Sequence, residues 1–200
     1  MASSTSIEEG FWAHNRPVIG TDEAGRGCLC GPVVAAAVCL SPDNLVFGKD
    51  SKALSPLQRT KCYHAIMEKA KVCVASRSSK EIDRDNILKS SLAAMKEAVE
   101  RLIIQYDLTD PVVIVDGNRP ITDLPYEQHC IVKGDSKSRT ISCASIVAKY
   151  QRDQYMETLD GITGNKYNLN KHKGYPTKEH YRLIQVYGPS VYHRQTFRLK

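Results

Sequence analysis

This 200-residue sequence predicts an α/β fold, a mixed sheet flanked by helices with a short helical segment at its C-terminal end. Three observations predict it. Short apolar runs, several of them dense in β-branched residues, read as strands, and the longer stretches between them carry apolar residues at helical spacing. The link between the first two runs is short enough for a hairpin, whereas a long helix precedes the fourth, as a crossover to a parallel neighbour requires. Three of the runs also end in an acid.

Val18 to Thr21 is the first strand. Gly31-Pro32 breaks the chain before a second, well-buried strand from Val33 to Leu40. Ser55-Pro56 has the form of a helix start, Ser as cap and Pro at the first helical position, and that helix turns Leu57, Tyr63, Ile66, Met67 and Ala70 inward. Val72 to Ser76 is the third strand. The period then lengthens into one helix from Ile82 to Gln105, which Asp110-Pro111 stops. Val112 to Val115 is entirely β-branched, the mark of a strand buried on both faces between parallel neighbours. Cys130 to Val132 is a short fifth strand. Ser138-Arg139-Thr140 supplies caps for a helix from Ile141 to Leu159, whose opening is rich in small residues, as close packing on a sheet demands. After Gly161 the chain turns polar and basic, with one more helix over Thr177 to Tyr187. Residues 1–15 read as a disordered polar tail.

Composition is that of an ordinary globular chain, 42% apolar and 25% charged. The net charge of +6 favours an anionic partner. Seven scattered cysteines without a Cys-x-x-Cys pair suit buried free thiols in a reducing cytoplasm and not a zinc knuckle. No stretch approaches membrane-spanning length.

The chemistry-bearing residues fall where strands end. The first strand delivers Asp22 and Glu23, the fourth Asp116 and the fifth Asp135. Taken singly, each is an ordinary turn acid. Together they lie beyond the carboxyl ends of strands, where α/β sheets build their sites. Three or four hard oxygen donors with no soft ligand beside them suit Mg²⁺ or Mn²⁺. A pair of such ions about 4 Å apart promotes phosphodiester hydrolysis. Because neighbouring strand residues face opposite ways, Glu23 is expected to reach the site from a bend. Gly25-Arg26-Gly27 is too short for a phosphate loop and lacks the Lys-Ser/Thr that would follow one, which argues against a nucleotide-binding enzyme. Its use is close backbone approach to a ribose, whose 2′-hydroxyl separates RNA from DNA.

The stretch Gly20-Thr21-Asp22-Glu23-Ala24-Gly25-Arg26-Gly27, with Asp50-Ser51-Lys52, Val115-Asp116-Gly117, Lys133-Gly134-Asp135, Ala144 to Lys149, Arg152-Asp153, His172 to Thr177 and His193-Arg194, resembles the motif set of bacterial ribonuclease HII. The resemblance covers almost the whole chain after the tail. Arg26 stands where the sister type, ribonuclease HIII, usually has Lys. Tyr150 and Pro176 stand where the family often has Val and Gly.

The resemblance implies a ribonuclease H fold with a catalytic domain over 16–160 and a substrate-binding segment over 161–200. It implies cleavage of RNA in RNA–DNA hybrids and incision 5′ to single ribonucleotides in duplex DNA, leaving 5′-phosphate and 3′-hydroxyl ends. Asp22, Glu23, Asp116 and Asp135 would be the catalytic, metal-binding acids. Gly25, Arg26 and Gly27 would read the 2′-hydroxyl, Lys52 would contact a phosphate, and Tyr175 would stack on the sugar that follows the ribonucleotide. A non-catalytic hybrid-binding module on this fold would lack the acids, and all four are present. The expected state is a cytoplasmic monomer with no membrane partner; a sliding clamp is compatible, but no motif for one is read.

Overall fold

The computed structural model describes residues 7–43 and 54–199. Lys52, with Asp50 and Ser51, lies outside the described residues. Five strands form one sheet among those described: β1 (Val18–Ala24), β2 (Val33–Cys39), β3 (Lys71–Arg77), β4 (Val112–Asp116) and β5 (Glu127–Ile131). Their order is β3-β2-β1-β4-β5. β1 runs antiparallel to β2, and β2 to β3, while β4 lies parallel to both β1 and β5. The mixed sheet is therefore as the link lengths predict. β1 and β4 have their carboxyl ends side by side, with Thr21 level with Val115.

Helices cover both faces. On one, α4 (Ile87–Gln105) lays Ala94, Met95, Ala98, Val99 and Leu102 against Ile19, Ala35, Ala37, Val113 and Val115. On the other, α5 (Arg139–Ile162) and α2 (Pro56–Lys69) pack Ile66, Cys143, Ala144, Ile146, Val147 and Ala148 onto Ala36, Val38 and Val72. The small residues expected at the start of α5 have a direct cause. A Cβ on Gly20 of β1 would stand 2.3 Å from the Thr140 carbonyl carbon, so helix and strand touch at backbone distance. The short α6 (Leu169–His172) and α7 (Lys178–Tyr187) close a further core with Leu29, Met156, Leu159 and Tyr167. No helix among the described residues is long and apolar enough to cross a membrane.

Several expectations change. The helix over Ile82–Gln105 is two: α3 (Ser79–Asp85) ends and α4 begins at Asn86, whose φ of 69° breaks the path and whose side chain accepts from the Lys89 amide. β5 starts three residues before Cys130, because an edge strand tolerates polar residues such as Glu127, Gln128 and His129. Leu57 and Met67 of α2 face solvent, leaving Ile66 as the residue that helix buries. Tyr150, which stands where the family often has Val, is half-buried and stacks on Tyr63 of α2 at 3.9 Å.

Another change concerns the tail. Residues 7–12 are not disordered but form α1 (Ile7–Trp12), and Glu8 is fully buried. Its carboxylate accepts from Ser138 Oγ at 2.6 Å, the Thr140 amide at 3.0 Å and Thr140 Oγ1 at 3.1 Å. It thus caps the positive end of α5 from outside the helix. Glu8→Ala is expected to cost about 2 kcal/mol by urea unfolding, with part recovered in Glu8→Gln. A midpoint unchanged by Glu8→Ala would show that α1 contributes nothing to the fold.

Candidate active site

A cleft of about 450 Å³ opens at the shared end of β1 and β4. Asp22, Glu23 and Asp116 line it, together with the Gly25–Gly27 loop, Arg59, Ser145, Lys149 and Tyr175. A cavity of similar volume near the start of β1, lined by Trp12, Arg16, Leu40 and Lys69 among others, has no acid among the described residues of its wall.

The strand alternation survives at the acids. β1 stays extended through Ala24, so Glu23 does not need the bend expected of it. Asp22 lies level with Ala36 on the α5 face and takes a hydrogen bond from Ser145. Glu23 lies level with Ala35 on the α4 face, where it also borders a second groove with Leu92, Asn118 and Arg119. Asp116, the last residue of β4, borders both spaces, and that is how acids on opposite faces of one strand share a site.

Asp135 does not line this cleft. It is buried in a one-turn 3₁₀ helix (Gly134–Ser136), tied to the acids through the Gly134 amide, which donates to Asp116 Oδ1 at 2.7 Å.

Burial, then the charges of Glu23 and Asp116, push the Asp22 carboxyl up to about 8, against hydrogen bonds from Ser145 and the Glu23 amide. Burial also raises Glu23, opposed by Arg26, whose Nη1 is 3.1 Å from Glu23 Oε1. Three carboxylates with one guanidinium between them call for a proton or a cation. Among the described residues no closed cage of three metal-ligating side chains is preassembled. The all-oxygen, anionic donor set at an open cleft nonetheless fits a hard divalent ion.

The rest of the lining is cationic and aromatic. Lys149 Nζ is 2.7 Å from Asp153, an ion pair, and 5.3 Å from the centre of the Tyr175 ring. Tyr175 is 38% exposed, and its hydroxyl hydrogen-bonds the Cys28 thiol. Pro176 is accommodated by a three-residue turn, with the Thr177 amide donating to the Tyr175 carbonyl at 2.9 Å. Gly25 has φ +98°, and a Cβ there would sit 2.0 Å from Arg152 Nε, whereas one on Gly27 would meet nothing. The first glycine is demanded by the protein and the second leaves room for something else. Sequence reasoning did not single out Arg59, Ser145 or Lys149 as cleft residues. Ser145 and Lys149 stood inside a quoted motif, but Arg59 has no local signal.

The Ribonuclease HII family model matches residues 19–200. The chain belongs to the ribonuclease HII family. A ribonuclease HII of Agrobacterium fabrum is 45% identical over 192 residues, 96% of this chain and 84% of that protein. Among solved structures, the fold is similar to that in the PCNA:RNase HII complex from Archaeoglobus fulgidus, with TM-score 0.73, 24% identity, and 92% and 96% of the two chains covered. Bst-RNase HIII in complex with Mn²⁺ is similar at TM-score 0.78 and 21% identity, over 92% of this chain and 68% of that one. These last two likenesses concern the fold. The family is that of a divalent-metal-dependent ribonuclease H.

Behind Tyr175, the chain buries three imidazoles. His180 stacks on His172 with ring centres 4.3 Å apart and contacts His193 through their Nε2 atoms at 3.1 Å. Burial lowers all three, taking His180 and His193 to about 4. A histidine whose folded value lies below its unfolded one of about 6.5 contributes full stability above that pH. The contribution is lost as pH falls toward about 4. The urea midpoint should therefore drop between pH 7 and pH 4, and His180→Gln with His193→Gln should flatten that dependence; an equal slope in the double variant contradicts it. At the acids, Asp116→Asn can still accept from Gly134 but removes a charge that raises Asp22. It should stabilise the metal-free protein by roughly 1 kcal/mol. A lower Tm than wild type in EDTA would refute the repulsion.

Proposed function

We propose that this chain is an endoribonuclease that cleaves the RNA strand of RNA–DNA hybrids and incises 5′ to single ribonucleotides in duplex DNA, leaving 5′-phosphate and 3′-hydroxyl ends. The observation that carries the reading is a cleft lined by Asp22, Glu23 and Asp116 together with a glycine loop, Lys149 and Tyr175. The acids suit hydrolysis, and the rest of the lining suits a ribose and its phosphates.

Asp22, Glu23 and Asp116 would hold Mg²⁺ or Mn²⁺, with Asp135 joining them through the turn that Gly134 fastens to Asp116. Bound there, two such ions would supply charge neutralisation at the scissile phosphate and an acidified water. Ser145 orients the Asp22 carboxylate. Arg59 and Lys149 offset phosphate charge. The Gly25–Gly27 loop reads the 2′-hydroxyl, Arg26 steadies Glu23, and Tyr175 stacks on the sugar beyond the ribonucleotide. Lys52 is kept as a phosphate contact on the motif alone.

The reading carries a monomer acting in the cytoplasm on nucleic acid. The PCNA in the Archaeoglobus fulgidus complex belongs to that protein, and a clamp partner for this chain is an open proposal.

The test is incision of a labelled DNA duplex bearing one ribonucleotide, with Mg²⁺, Mn²⁺ or EDTA. A single metal-dependent cut on the 5′ side is expected; no cut on this duplex or on long hybrid would overturn the reading. Asp116→Asn should lower cleavage more than about 100-fold while hybrid binding persists, and near wild-type rates would remove it from the metal site. Tyr175→Ala should reduce single-ribonucleotide incision about tenfold more than bulk hybrid cleavage. Equal loss on both substrates would end its junction role.

A further inference from the structure

Two chain segments far apart in sequence form the wall that would face the ribose, the Gly25–Gly27 loop and the turn at Tyr175. Neither is a regular element, and a loop alone holds its backbone poorly. Both are nevertheless fastened to the same two consecutive residues near the C-terminus.

Arg194 is fully buried beneath the loop. Its Nη1 donates to the Arg26 carbonyl at 2.8 Å, and its Nη2 donates to the carbonyls of Gly25 at 2.7 Å and Gly31 at 3.0 Å. Nε donates to Gly31 as well, at 3.1 Å. These bonds all go to main-chain oxygens, which fixes the loop's carbonyls toward the interior. The loop's amides then remain for a ligand.

His193 acts in the other direction. The Ser190 amide donates to His193 Nδ1 at 3.0 Å, so in the neutral ring the proton is on Nε2. That proton is given to His180 Nε2 at 3.1 Å, which forces the His180 proton onto Nδ1. Nδ1 in turn donates to the Tyr175 carbonyl at 3.0 Å. Every donor meets an acceptor, and the chain ends on the residue assigned to the junction sugar. Main-chain bonds from Leu29 to Gly174, Gly31 to Tyr192 and Arg194 to Leu29 stitch the three segments together.

We propose that His193-Arg194 is a positioning dipeptide that locks the Gly25–Gly27 loop and Tyr175 into one rigid unit, setting the discrimination of a ribonucleotide junction without touching substrate. The proposal rests on the ribose-reading roles given above. Burial lowers Arg194 only to about 10, so the clamp stays charged at neutral pH.

The test compares kcat/KM on a single-ribonucleotide duplex and on long hybrid for His193→Phe, His193→Gln, Arg194→Lys and Tyr175→Ala. His193→Phe keeps the ring volume and loses the relay, so the junction-to-hybrid ratio should fall about tenfold, as in Tyr175→Ala. His193→Gln retains a donor and should recover part of it. Combining His193→Phe with Tyr175→Ala should add almost nothing, because the two act through one contact. Arg194→Lys keeps the charge but not the fork, so both substrates should lose and the single-ribonucleotide duplex should lose more. Additive losses, or an unchanged ratio in His193→Phe, would overturn the proposal.

Hydrogen exchange separates this from a failure of the functional reading and serves where a kinetic variant folds poorly. In each folded single variant at position 193 or 194, amides of 25–28 and of 173–176 should speed up together. Acceleration confined to one segment overturns the clamp. If Tyr175→Ala leaves the ratio untouched while exchange stays coupled, the ribose-reading roles fall and the clamp stands.

Discussion

Repulsion among Asp22, Glu23 and Asp116 is the constraint on which the rest of the structure depends. Carboxylates resist burial and resist one another, and Asp22 responds by holding its proton to about 8. Such a group stays in place only if its backbone has no alternative. β1 provides this, with hydrogen-bonded neighbours on both sides and buried residues from Val18 to Asp22. The alanines of β2 and Gly20 of β1 let α4 and α5 close on the two faces. A flexible segment would swing the acids into water and lose the site.

The second problem is opposite in sign. Arg152 and Arg194 are both fully buried, and the hydrogen bonds described for them end on main-chain carbonyls. The acids thus stand on one side of the Gly25–Gly27 loop and the guanidiniums beneath it. Carbonyl dipoles turned toward the guanidiniums solvate them in place of water, and each bond so used also fixes a loop residue. Isolated buried charges are expensive, and their repeated use of backbone as partner is what makes an irregular loop rigid.

Much of this was legible in the sequence where a local pattern causes the structure. β1, β2 and β4 are apolar runs, Ser55-Pro56 does begin a helix with a complete capping box, and Asp22, Glu23 and Asp116 do stand at strand ends. What was not legible has long-range causes. Asn86 interrupts a helical period that continues through it, so the pattern alone reads as one helix. β5 is polar because it is an edge. α1 was invisible because its buried residue is a glutamate whose partners are 130 or more positions away. Arg59 enters the cleft through the packing of α2 on α5, which no window of sequence encodes.

The same distinction explains why Asp135, which does not line the cleft, is held differently from the other acids. Asp22, Glu23 and Asp116 are strand residues, fixed by ladder hydrogen bonds. Asp135 belongs to a single 3₁₀ turn whose position is set at both ends from outside: Gly134 by Asp116, and the start of α5 by Glu8. Moving that turn requires breaking a hydrogen bond at one end or the N-terminal cap at the other. Glu8 and Asp116 are thus coupled through seven residues of chain, from Gly134 to Thr140, and a segment outside the matched family region shares in placing the fourth acid.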